Sequence, residues 1–177
     1  PLKGANSSQR NAWFKACPDR WKVIVTLDWG DDRSLATELE TVILDADAAQ
    51  WPSLEKKLVG VLENPECTDV ARDFVVRMLR MIGSPACVGT LKPMLSDPKK
   101  ADVARYALES IAGEEASAAL RDALGSLKGA PKAGLIGSLA VRGDKKALPA
   151  LKAIAADAAE SAEVREAAQR AATALSA

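Results

Sequence analysis

From residue 67 to the C-terminus one pattern recurs with a period of about thirty residues. Leu79-Arg-Met-Ile82-Gly83, Leu108-Glu-Ser-Ile111-Ala112 and Leu139-Ala-Val-Arg142-Gly143 are successive copies of it, and Ala172-Thr-Ala-Leu175 is a fourth, partial one. The turn marks Gly83, Ala112, Gly143 and Ser176 stand 29, 31 and 33 residues apart. Eight positions after each internal mark comes Leu91, Leu120 or Leu151. A period of this length, holding two short amphipathic helices, predicts an all-α chain, a right-handed α-solenoid of stacked antiparallel helix pairs. Each unit cannot bury its apolar face alone, so neighbouring pairs must share one core.

Composition agrees with a folded helical chain. Hydrophobic residues make up 48% and charged residues 27% of the 177 positions, with a net charge of zero. No global field therefore draws the chain to a polyanion, which argues against nucleic acid. No apolar run reaches the length of a membrane span. Alanine rises from nine in the first hundred residues to twenty-five in the remainder, whereas all four tryptophans fall by residue 51. Alanine favours helix and close helix approach, so the second half should be thin and tightly packed, the first half bulkier. The chain begins at Pro1, which suggests a processed or truncated precursor and leaves export open.

Residues 1–18 read as an extended N-terminal arm, and 19–177 as a single solenoid domain. Within it, 19–66 are irregular, Trp-rich helices and 67–177 the regular repeats. The stretch from Trp21 to Trp29 is β-branched enough for a strand, but Pro18-Asp19 before it and Gly30 after it favour a helix. Helices are expected over about 32–46, carrying Leu35, Leu39, Val42 and Ile43 on one face, and from Trp51-Pro52 to Asn64-Pro65. The segment 47–64 is surplus to the repeat count and is expected to pack across the N-terminal end. Helix pairs then follow at 69–82 with 85–96, at 101–112 with 114–127, and at 131–142 with 144–157. A last helix over 162–175 would present Ala167, Ala168, Ala171 and Ala172 as a featureless outer face. That makes nine or ten helices.

The phrase Gly143-Asp-Lys-Lys-Ala-Leu-Pro-Ala-Leu-Lys-Ala-Ile, with Glu163-Val-Arg-Glu-Ala-Ala after it, resembles the bacterial HEAT repeat of the PBS-lyase HEAT-like type. Asp69-Val-Ala-Arg72 and Asp102-Val-Ala-Arg105 look like looser copies of the same helix start. The resemblance covers 67–177, implies a HEAT-like superhelix and implies a surface for protein interaction. Two departures stand out. Arg142 replaces the apolar Ile82 and Ile111 of the sister copies, and Gly134 and Gly137 weaken their helix by roughly 0.5–1 kcal/mol each. The third unit is therefore expected to be loose.

The chain has no histidine. That removes the commonest general acid–base, the Ser-His and Cys-His pairs and most zinc sites, together with the His-Glu iron ligands of HEAT-repeat hydroxylases. Cys17, Cys67 and Cys87 lack metal-site spacing. A Cys67–Cys87 disulfide would have to span roughly 20 Å along a helix, whereas Cys17–Cys67 stays open beside the reading of small buried thiols. No phosphate-binding glycine loop is present, and no cofactor is expected. Asp28, Asp31 and Asp32 around Trp29 allow two readings. One is an acid beside a base-stacking ring, as in HEAT-like DNA glycosylases; the other is a helix stop followed by an acidic helix start, with Trp29 in the core. Trp13, Trp21, Trp29 and Trp51 are expected to form an aromatic cap over the solenoid end.

The sharper lead is a column of bases. Lys92, Arg121 and Lys152 each lie nine positions past a turn, with small residues or proline on the same face at Gly89, Ala118 and Pro149 and at Ser96, Gly125 and Ala156. Stacked second helices, about 8–10 Å apart, would align them on a concave surface able to meet an acidic segment of a partner protein. The alternative is a solvated face. The expected function is a non-enzymatic protein-interaction or scaffold module. The alternative is a HEAT-like accessory enzyme, chromophore-lyase-like or glycosylase-like, acting in the groove.

Overall fold

The computed structural model describes residues 5–177; the first four residues of the expected arm lie outside them. Helices cover 73% of the described residues, and no strand occurs among them. The chain divides into two compact units, residues 1–87 and 88–177.

The expected arm is corrected first. Ser7–Ala16 is a helix, α1. Asn6 caps it by accepting the Gln9 N–H, and the Gln9 side chain accepts the Asn6 N–H in return. This reciprocal box satisfies two orphan donors with two residues. An ion pair holds α1 to the rest of its unit: Arg10 Nε lies 2.8 and 3.0 Å from the two oxygens of buried Asp31.

The ambiguous tryptophan-flanked segment is a short helix, α2 (Arg20–Ile24), begun by Asp19, whose carboxylate accepts the Trp21 and Lys22 N–H groups. It continues as turns through Leu27 and buries Val23, Ile24, Val25 and Leu27. Next come α3 (Ser34–Leu44), α4 (Trp51–Leu62) and α5 (Asp69–Ile82). The surplus helix α4 packs directly on α5 and α2 and contributes Leu54, Leu58 and Val61 to the core. Thr68 joins the parts. Its hydroxyl donates to the Leu27 carbonyl and accepts from Ala71 N–H, while its own N–H donates to Val25 O. One residue thus caps α5 and ties down the chain after α2. Glu55, buried on α4, does the same for the turn after α5, accepting both the N–H and the hydroxyl of Ser84.

The tryptophan cap is not found. None of the four tryptophans is buried, and Trp29, expected in the core, is 77% exposed. The core of this unit is aliphatic, with Phe74 as its aromatic member among the described residues.

In the second unit, α6 (Val88–Leu91) runs into a 3₁₀ segment, Lys92–Ser96. Pro93 lacks the N–H that an α-helix would use, and the coil tightens there. Then follow α7 (Ala101–Ser110), α8 (Glu114–Asp122, prolonged by a 3₁₀ turn to Gly125), α9 (Gly129–Val141), α10 (Leu148–Ala156) and α11 (Ala162–Ser176). The count is eleven α-helices among the described residues, one more than the upper expectation because α1 stands where an extended arm was expected. Helices α7, α9 and α11 lie side by side; α6 and its 3₁₀ continuation pack on α7 and α8, and α10 packs on α11. Gly113 and Gly143 turn the chain between hairpin halves with φ of 102° and 66°, a region where a Cβ is strained.

The expected alanine face of α11 is corrected. Ala167, Ala168, Ala171 and Ala172 are buried with Val164 and Leu175, their small size allowing close contact with α9 and α10. Exposed instead are Glu163, Glu166, Gln169, Arg170 and Thr173.

Candidate interaction surface

The three bases of the expected column are not equivalent. Lys92 Nζ lies 2.7 Å from Asp122 Oδ2, both side chains being exposed. Arg121 is half-buried and doubly paired, at 2.5 Å from Glu114 Oε1 through one nitrogen and 2.5 Å from Asp144 Oδ2 through another. Lys146 adds a third cation at 2.9 Å from the same Glu114 oxygen. Lys152 is exposed and forms no ion pair among the described residues; nearby Asp157 instead accepts the Ala159 N–H. The pairing is visible in the acids. Hydrogen bonds from Lys146 and Arg121 hold the Glu114 carboxyl below the ordinary range, and the bond from Lys92 does so for Asp122. Two of the three bases are therefore paired with carboxylates within the unit, whereas Lys152 forms no ion pair among the described residues.

Gly89, Gly125, Pro149 and Ala156 are exposed, and a Cβ built on Gly89 or Gly125 meets nothing within 4 Å. Beside Lys152 an open groove of about 520 Å³ runs between α10 and α11, bordered by Ala155, Ala156, Gln169, Thr173 and Ser176. Its hydroxyls are already engaged, Thr173 donating to Gln169 O and Ser176 to Ala172 O.

What sequence reasoning missed is a polar seam between α7 and α9. The Arg142 guanidinium reaches from the end of α9 to the C-terminal carbonyls of α7. One nitrogen donates to Leu108 O (2.6 Å), Ile111 O (2.6 Å) and Glu109 O (3.1 Å), another to Gly113 O (2.8 Å), and Nε to the Ser117 hydroxyl (2.9 Å). Those carbonyls have no partner inside the helix, and a cation there also meets the negative end of the helix dipole. Burial pulls the Arg142 pKa down from its ordinary value, though neighbouring carboxylates oppose this and the group stays charged. Arg105 crosses in the other sense, donating to Ser138 Oγ at 3.2 Å and to Asp102 at 2.8 Å. The Ser138 hydroxyl donates in turn to Glu109 at 2.7 Å. Gly134 makes the crossing fit: a Cβ there would sit 2.7 Å from Arg105 Nε. Arg142 and Gly134 are thus parts of the third unit's attachment to the second, whereas Gly137 meets nothing within 4 Å. The available signal was an arginine standing where sister copies carry isoleucine.

The acid–tryptophan cluster is tied together by local hydrogen bonds and one ion pair. Asp31 is held by Arg10 and accepts the Asp28 N–H at 2.8 Å; Asp28 accepts the Trp29 N–H at 2.8 Å; Asp32 accepts the Ser34 N–H at 2.9 Å. Trp29 carries Arg33 over its ring at 5.6 Å. The three cysteines are free thiols. Cys87 is buried, donates to Ser84 O at 3.2 Å, and burial beside Glu55 pushes its pKa up to about 12. No cluster of three or more metal-ligating side chains occurs among the described residues, and no helix there is long and apolar enough to cross a membrane.

Fold and surface together define a class: an all-helical chain of short, laterally joined helices. No family model, curated protein or solved structure matches it.

Proposed function

We propose that this chain is a HEAT-like helical-repeat module that binds another protein and carries no reaction of its own. The observation behind this reading is a division of labour in residues 88–177. Charged and hydrogen-bonding groups meet between consecutive hairpins, through Arg142, Arg105, Arg121 and Lys146, while Gly89, Gly125, Pro149 and Ala156 are left exposed. A framework cross-tied in this way holds a surface in fixed shape, and a fixed shape lowers the ordering cost of binding. Lys152 supplies the cation for an acidic residue of the partner; Lys92 and Arg121 contribute shape and internal pairing.

The test is site-specific photo-crosslinking in native extract, with the reactive residue at Gly125 or Ala156 and, as control, at Glu163 or Arg170 on the outer side of α11. One protein captured in stoichiometric yield from the first two sites alone, and lost on Lys152→Glu, supports the reading. Equal yields from all four sites oppose it, and copurifying chromophore or DNA would favour an accessory enzyme.

A further inference from the structure

The hairpin of α10 and α11 holds a second cation without a carboxylate beside Lys152. Arg165, in the first turn of α11, is half-buried and forms no ion pair among the described residues. Its Nε is buried and has no acceptor, the only such side-chain nitrogen or oxygen among the described residues. The other partly buried arginines of this unit are engaged: Arg105 by Asp102 and Ser138, Arg121 by Glu114 and Asp144, Arg142 by the carbonyls ending α7. Buried donors are nearly always paired, so this orphan calls for an acceptor from outside the hairpin. Its position says where that acceptor would lie. Residues three, four, seven or eight apart share one face of a helix, which puts Arg165 in line with Gln169, Ala172, Thr173 and Ser176. Those four border the groove between α10 and α11. Arg165 extends their stripe by one turn towards the loop that joins the two helices.

Charge and shape select the occupant. None of the groove's lining residues is acidic, Lys152 is the one charged residue among them, and Ala155, Ala156 and Ala172 give it small apolar walls. The Gln169 side-chain amide has no partner among the described residues and can both donate and accept. The Thr173 and Ser176 hydroxyls donate to their own helix and keep lone pairs with which to accept. Backbone N–H and C=O groups of a peptide match that set, and carboxylates match the two cations. A nucleic acid fits less well: two cations neutralise few phosphates, and no aromatic residue follows Tyr106 to stack on a base. We infer that the α10–α11 groove binds an acidic segment of a partner protein, one carboxylate on the Arg165 guanidinium and another on Lys152, with small side chains against the alanines. This rests on reading the chain as a protein-binding module, and it names the chemistry of the partner.

The probe is a fluorescent peptide of about twelve alternating alanine and glutamate residues, with an alanine–glutamine peptide of equal length as control. Titration by anisotropy should show the glutamate peptide binding at least about tenfold more tightly, the scale of a lost charge-assisted hydrogen bond. Arg165→Gln and Lys152→Gln should each weaken its binding by about tenfold and lower the salt dependence. Arg170→Gln, on the outer side of α11 where Arg170 pairs with Glu166, should leave binding unchanged. A second readout uses the wild-type chain. In isotope-labelled protein the Arg165 Nε–H resonance, identified by its absence from Arg165→Lys, should shift on adding the glutamate peptide and not the glutamine one. Absence of that shift, equal binding of the two peptides, or full binding by Arg165→Gln overturns the inference. Tighter binding of an oligothymidylate at the same salt also overturns it. Weakening by Lys152→Gln alone overturns the role of Arg165 and leaves the protein-binding reading standing, since photo-crosslinking judges that reading separately.

Discussion

Arg142→Ile restores the residue type that the sister copies carry, so sequence and structure predict opposite results. From the repeat alone, isoleucine should fill an apolar position and stabilise. From the structure, it removes the donor for four carbonyls and one hydroxyl. The Gly113 carbonyl lies at an exposed bond and can be rehydrated. The Leu108 and Ile111 carbonyls, each 2.6 Å from the guanidinium, are partly buried; leaving each unpaired costs about 1–3 kcal/mol. Against that total of roughly 2–6 kcal/mol stands the burial of isoleucine, about 1.5–3 kcal/mol at most for a site as open as this one. The net expectation is a loss of about 1–3 kcal/mol. Urea unfolding followed by circular dichroism measures it. All four tryptophans lie in residues 1–87, so tryptophan emission reports the first unit separately. Hydrogen exchange should show faster opening of the last amides of α7 and the first of α8. A variant as stable as wild type, or more so, would refute the clamp and restore the simple repeat reading.

Leu108→Ala and Leu120→Ala, both at fully buried positions, should each cost about 2–5 kcal/mol in the same assay, and Ala172→Ser far less; similar small losses at all three would contradict the packing register. Gly134→Ala should gain about 0.5–1 kcal/mol of helix propensity only in an Arg105→Ala background, because in wild type the new methyl displaces the guanidinium; equal gains in both backgrounds would break the link. Cys87 should resist alkylation at pH 8 until the chain unfolds, and modification of the native protein at the rate of a free thiol would contradict its burial. Its folded pKa is raised from 9.0 to about 12, so its stabilising effect is complete below pH 9 and is lost as pH climbs towards about 12. A pH-independent urea midpoint across that alkaline window would count against this assignment.

Helix identity and approximate limits from residue 34 onward were legible in the sequence, because period, caps and prolines act over three or four residues. Thr68 and Ser161 cap α5 and α11 immediately before their first residues. The Asn6–Gln9 box was equally local and was overlooked because α1 has little apolar periodicity. The repeat also located Leu79, Leu108, Leu120, Leu139 and Leu151 in the core. Lateral partners were not legible. Whether Lys92, Arg121 and Lys152 form a free column or an internally paired one depends on which carboxylates a neighbouring hairpin brings within about 3 Å, and Asp122, Glu114 and Asp144 are up to about thirty residues distant. Arg142 and Gly134 read as defects for the same reason: helix propensity and apolar patterning score a residue against its own helix. Their partners, the carbonyls ending α7 and the guanidinium of Arg105, belong to another one. The sequence determined the helices and their inward stripes through short-range periodicity. Tertiary structure alone decided which polar groups meet across the hairpins, since that follows from packing distance rather than from position along the chain.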